Sequence, residues 1–153
     1  IEERGGPESY REIVWCGYGE PTFRLDLILL TSPIFRAAGA RVRLNTIGHA
    51  CLIHGRDVLP ELGEVVDRVN VSLNAPNARR YEELCRPDPG AVAGKDPSSS
   101  GAFWEAMLDF LSRAPDHIGD VRVSVVGHTL TDDEIEQCRI LATTIAGAPL
   151  RVR

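Results

Sequence analysis

The chain has 153 residues, 43% hydrophobic and 25% charged, with a formal net charge of −5 from 17 Lys+Arg against 22 Asp+Glu. That length fits a single domain, residues 1–153, able to bury roughly 68–70% of its unfolded surface. The charge balance offers no broad basic surface to a nucleic-acid backbone, and no apolar run approaches the roughly 20 residues of a membrane-spanning helix, so neither partner is expected.

Residues 2–11 are polar and broken by Gly5-Gly6-Pro7, with a short turn or helix expected at Glu8–Arg11. Ile13-Val14-Trp15-Cys16 reads as a buried strand running into Gly17-Tyr18-Gly19-Glu20-Pro21-Thr22. Two glycines there permit φ > 0 or close approach of a ligand to the backbone, and Pro21 suits a first helical turn. Leu25, Leu27, Ile28, Leu29, Ile34 and Phe35 supply the apolar positions of a helix that Pro33 is expected to kink or interrupt, with Gly39 near its end.

Arg41 to Thr46 is the second strand, and His49 to Asp57 follows as a loop. His49 and His54 lie there without a companion at ligand spacing, so they read as structural histidines. Asp57 to Val66 is helical, with Asp57 as N-cap and Pro60 in the first turn. Arg68-Val69-Asn70-Val71-Ser72-Leu73-Asn74 is the clearest strand, because strict alternation puts Asn70, Ser72 and Asn74 on one face and Val69, Val71 and Leu73 on the other.

A short helix is expected over Ala78–Arg86, then a loop from Pro87 to Gly101, either a lid or a tolerated insertion. Phe103, Trp104, Met107, Leu108 and Leu111 recur at helical spacing as a core-facing stripe. Val121–Gly127 is the fourth strand, Asp132–Ala146 a helix capped by Thr131 and closed by Gly147, and Leu150–Arg153 a fifth strand. The alternation of strand and helix predicts an α/β fold with a parallel sheet: a partial (β/α) barrel of about five strands, or a doubly wound sheet. The four cysteines, Cys16, Cys51, Cys85 and Cys138, form no CxxC spacing; they are expected as reduced thiols in a cytoplasmic protein, not as metal ligands.

Ligands of such sheets bind at the C-terminal strand ends. There the sequence delivers Gly19, Glu20 and Pro21 from the first strand, Asn45 and Thr46 from the second, Ser72 and Asn74 from the third, and Ser124 and Gly127 from the fourth. This set suits a small ligand with an ammonium group and hydroxyls, Glu20 accepting from the ammonium and Ser72 and Asn74 bonding a ribose. No Ser-His-Asp order, P-loop or HExxH is present. A lyase or isomerase with Glu20 as base would need a histidine near it in space.

GYGEPT after the first strand, LNT-Ile-Gly after the second and VSLNAP at the third together resemble the radical S-adenosylmethionine (SAM) superfamily. The runs LIHGRDVLPEL, VNVSLNAPNARRYEELCRP and SVVG are most similar to its TatD-associated members, over nearly the whole chain from Glu12. The resemblance implies that Gly19, Glu20 and Pro21 hold the methionine amine of SAM, that Ser72 and Asn74 approach its ribose, and that Asn45 matches a further polar position of the family; Ser124, from the strand-end set, is expected as a further cofactor-binding residue. It also implies a 4Fe-4S cluster and reductive cleavage of SAM to a 5′-deoxyadenosyl radical, with substrate unspecified. The cluster's CxxxCxxC motif is not in this sequence; the family pattern places it upstream of Ile1, so the chain alone is expected to be inactive. Ile47 stands where the family often carries Asn. The alternative is a non-catalytic binding or interaction module on a degenerate β/α fold. A barrel lacking a strand leaves an open sheet edge, through which self-association is expected.

Overall fold

A computed structural model of the protein describes residues 5–88, 90, 92 and 101–153. Five strands form one sheet: β1 (Glu12–Trp15), β2 (Arg41–Thr46), β3 (Arg68–Ser72), β4 (Asp120–Val125) and β5 (Leu150–Val152). Every pairing is parallel and the spatial order is β1-β2-β3-β4-β5, the same as in the chain. A doubly wound sheet reverses its order at a switch point; this one does not, and it is the open, partial barrel. The outer edge of β1 pairs with no strand among the described residues.

Among the described residues six helices connect the strands: α1 (Leu25–Ala37), α2 (Ala50–His54), α3 (Leu59–Val65), α4 (Ala78–Cys85), α5 (Ala102–Arg113) and α6 (Asp132–Ala146). They cover one face of the sheet, where Val42, Leu44, Val69, Val71, Val123 and Val125 are fully buried against Ile28, Leu62, Met107 and Phe110. The side chains between them in sequence, Arg43, Asn45, Asn70, Ser72 and Arg122, belong to the opposite, concave face.

Three local expectations change. Residues 50–54 of the expected loop form α2, which ends on Gly55 in the left-handed conformation. Pro33 does not interrupt α1, which continues through it with Ser32 fully buried and accepting a 2.9 Å hydrogen bond from Trp15 Nε1, a tie to β1 that holds the last turns in place. α3 begins at Leu59 with Val58, not Asp57, as its N-cap residue, and Asp57 Oδ1 accepts from Leu59 N at 3.1 Å; the short turn expected before β1 is the 3-10 turn Pro7–Ser9. The capping box of α6 is as expected, with Thr131 accepting from Glu134 N and Glu134 from Thr131 N. Most of the loop between Pro87 and Gly101 lies outside the described residues.

Candidate functional site

The chain leaves β1 through Gly17-Tyr18-Gly19 and enters a 3-10 turn, Pro21–Arg24. Gly19 has φ +110°, a conformation that L side chains rarely adopt, and a Cβ built there would meet nothing within 4 Å. Its backbone therefore borders open space. Glu20 follows, 8% exposed, and its side chain folds back over the end of β2. Oε1 accepts from Thr22 N at 3.1 Å, Thr22 Oγ1 at 2.6 Å and Thr46 Oγ1 at 2.8 Å, while Oε2 accepts from Ile47 N at 2.7 Å. Thr46 Oγ1 in turn accepts from Gly48 N at 2.9 Å. One carboxylate thus fastens the turn after β1 to the turn after β2. A carboxylate offers about four acceptor sites, and with three donors crowding Oε1 the spare capacity is on Oε2.

Around this knot is a cleft of about 240 Å³ at the strand ends, bordered by Gly17, Gly19, Glu20, Asn45, Ser72 and Arg153. Five of the sequence-derived residues, Gly19, Glu20, Asn45, Thr46 and Ser72, are therefore brought together. Pro21 acts through the backbone instead, at the first position of the turn for which Glu20 is the N-cap. Ser124 is fully buried one strand over and accepts a 3.1 Å hydrogen bond from Asn70 Nδ2, which stands between it and the concave space.

Asn74 departs furthest from its expected place. β3 ends at Ser72, and Asn74 has φ +59°, which reverses the alternation that would have carried it to Ser72's side. Its Nδ2 points to Cys85 Sγ at 3.9 Å, and its Oδ1 is buried without a hydrogen-bond partner.

Sequence reasoning missed Thr22 and Arg153. Thr22 was within GYGEPT, two residues beyond a capping Glu, which is the local signal for its backbone bond to Glu20. Arg153 had no local signal; it reaches the cleft because β5 lies beside β4, and its Nη2 is 3.4 Å from Ser72 Oγ.

Behind the knot, a second cleft of about 230 Å³ is bordered by Glu20, Phe23, Ile47, His49, Cys85 and Phe103. His49 is buried, with Nε2 3.0 Å from Tyr81 Oη and its ring 5.2 Å from that of Phe103. Burial lowers its pKa to about 4, against a hydrogen bond with the Phe103 backbone that works the other way, so the ring is neutral at physiological pH. Burial also raises the Tyr81 phenol and the Cys85 thiol. His54 Nε2 donates to the Thr22 carbonyl at 2.7 Å. Both histidines are structural partners of the fold. Their ring nitrogens are engaged, His49 with Tyr81 Oη and His54 with the Thr22 carbonyl, which does not suit either as the acid partner of a Glu20 base.

The donor set can be tested against SAM and against a cluster. A strand-end cleft with an open glycine backbone, a carboxylate oxygen with spare capacity and a guanidinium fits the ammonium and carboxylate of an amino acid. At about 240 Å³ it falls below the roughly 300 Å³ at which pockets bury a whole small ligand, so it fits the methionine end of SAM. A 4Fe-4S cluster is not fitted: Cys16 is exposed, Cys51 and Cys85 are half-buried, Cys138 is buried, and no group of three His, Cys, Asp or Glu among the described residues could hold a metal.

An open parallel sheet of β/α units with a polar cleft at its strand ends defines a small-molecule-binding partial barrel. The model of the radical SAM superfamily matches residues 1–141, and the chain belongs to that superfamily. The family's cofactors are SAM and a 4Fe-4S cluster. Among solved structures, one described as TYW1 with a lysine-pyruvate adduct bound is similar at TM-score 0.61 and 18% identity, over 94% of this chain and 42% of that one. A domain of pyruvate-formate lyase-activating enzyme from Bacteroides vulgatus ATCC 8482 is similar at TM-score 0.51 and 11% identity, over 92% of this chain and 98% of that one. These likenesses establish the fold. A search of curated proteins returned no match. Among the described residues no helix is long and apolar enough to cross a membrane.

Proposed function

We propose that the strand-end cleft binds the methionine moiety of SAM, with the Gly17–Gly19 backbone and Glu20 Oε2 receiving the ammonium, Arg153 pairing with the carboxylate, and Asn45 and Ser72 bonding beyond them. The observation that carries this is Gly19 at φ +110° with open space at its Cβ position, directly before a carboxylate held rigidly at the lip of the cleft. Glu20 has two tasks in this reading, to lock two turns together and to present one oxygen to the ligand. Thr22, Thr46 and the Ile47 amide orient it, so they are positioning residues. Ser124 serves the site indirectly in this reading, by holding Asn70.

For the whole protein the proposed chemistry is hydrogen abstraction by a 5′-deoxyadenosyl radical, for which a 4Fe-4S cluster supplies the electron that cleaves SAM. The cluster would be held by residues other than the described ones. Affiliation with the TatD-associated radical SAM proteins, on the strength of LIHGRDVLPEL and VNVSLNAPNARRYEELCRP, belongs to the same proposal. So do a cytoplasmic setting, the lack of nucleic acid or membrane as partners, and self-association through the β1 edge; a monomer by light scattering at every concentration overturns the last.

Isothermal titration of the chain with SAM tests the cleft. Saturable binding is expected, weakened at least tenfold, ~1.4 kcal/mol, by Glu20→Gln and by Gly19→Ala. No binding at millimolar SAM overturns the reading. The alternative, a non-catalytic binding module, is favoured by the lack of a ligand trio among the described residues. Anaerobic reconstitution separates the two: 4Fe-4S absorption supports the enzyme, and its absence alongside SAM binding supports the module.

A further inference from the structure

The concave face of the sheet carries a row of guanidinium groups that the strand-end cleft does not use. Parallel register sets Arg43 of β2 beside Arg68 of β3, Asn70 beside Arg122 of β4, and Ser124 beside Arg151 of β5. Two carboxylates serve them. Glu12 accepts from Arg43 Nε at 3.1 Å and Arg68 Nη1 at 3.4 Å, and Asp120 accepts from Arg68 Nε at 2.6 Å and Arg122 Nε at 3.0 Å. Arg151 has no ion pair among the described residues, and Arg122 has one there, with Asp120.

Around this part of the face, four guanidinium groups against two carboxylates leave an excess of two positive charges, in a chain whose net charge is −5. Structural ion pairing alone would be met by equal numbers. The groups line a cleft of about 460 Å³, the floor of which includes the Asn70 amide. A concavity lined by one sign of charge focuses its field, and planar guanidinium forks match carboxylate and phosphate oxygens two at a time.

The position of this cleft gives it a purpose. Arg43, Asn70 and Arg151 each precede by two residues, on the same face, a residue of the strand-end cleft: Asn45, Ser72 and Arg153. At roughly 3.3 Å per residue the two clefts are stacked along the strands with their centres about 7 Å apart.

We infer that the arginine-lined concave face binds an anionic group of the substrate, a carboxylate or a phosphate, and so suspends the substrate beneath the cofactor held at the strand ends. The inference rests on the proposed function for the word substrate; the anion site itself does not. Arg122 and Arg151, exposed and least compensated, are the main ligands, and Arg43 and Arg68 are held by Glu12 and Asp120 as the fixed part of the cradle.

Arginine Nε chemical shifts of the chain, recorded during titration with inorganic phosphate or succinate at constant ionic strength, test the site. Saturable shifts are expected at Arg43, Arg122 and Arg151, with affinity falling at least tenfold in the Arg122→Gln/Arg151→Gln double variant and unchanged in Arg79→Gln on the exposed surface of α4. The tighter of the two probes identifies the anion as phosphate or carboxylate. Linear shifts spread over all exposed arginines, or an affinity unaffected by the double variant, overturn the inference. SAM titration of the same samples keeps the two proposals apart: saturable phosphate or succinate binding without SAM binding retains the anion site and removes the cofactor reading, and SAM binding without either anion does the reverse.

Discussion

The two faces of the sheet are built from the same strands in alternate residues, and they solve different problems. On the helix-covered face, Val42, Leu44, Val69, Val71 and Val123 are fully buried, and their apolar character is accounted for by removal from water. On the concave face, Glu12, Arg43, Arg68, Asn70 and Arg122 remain polar and form a network that crosses four strands. Burial explains the first face completely and the second not at all. A polar interior in an open barrel is the signature of a surface shaped for a ligand, and its stability cost is limited because the charges are partly solvated.

Changes on the covered face should dominate stability. Leu44→Ala removes a fully buried side chain between β1 and β3, and is expected to cost about 2–5 kcal/mol in urea unfolding. A loss under about 1 kcal/mol would mean that this face is not the core. The helix layer also holds the pH dependence. His49 has a folded pKa of about 4 against an ordinary 6.5, so the unfolded chain binds more protons between those values. Its contribution is complete above pH 6.5 and is lost as pH falls toward 4, to a limit of roughly 3 kcal/mol. Wild type and His49→Gln compared in urea at pH 7 and pH 5 should show a steeper fall in wild type; parallel behaviour would place the titrating group elsewhere. The smallest effect belongs to the concave face. Asn70→Ala removes one hydrogen bond to the buried Ser124 hydroxyl and is expected to cost about 1 kcal/mol. If it rivals Leu44→Ala, the concave face is a second core and the comparison fails.

Much of this division could be read in the sequence where neighbours along the chain settle the matter. Alternation in Arg68–Ser72 assigned Val69 and Val71 to one side and Asn70 and Ser72 to the other, because successive side chains of any strand point oppositely. Thr131 and Glu134 announced the start of α6 for the same local reason. The pattern failed at Asn74, where the φ of a single residue reverses the direction, and at α2, whose five residues are too few to show a helical period.

The sequence by itself determined the succession of strands and helices, the parallel sheet, and the convergence of Gly19, Glu20, Asn45 and Ser72 at one end of it. These follow from side-chain alternation, turn chemistry and connection length, which act within a few residues. Only the tertiary structure decided the strand order, the folding of Glu20 onto Thr46 and Ile47, the arrival of Arg153 beside Ser72, and the ladder of Glu12, Arg43, Arg68, Asp120 and Arg122. Apart from Asp120 with Arg122, those contacts join residues 26 to 81 positions apart. They depend on which strands lie side by side and in what register, and no local preference of the chain encodes that.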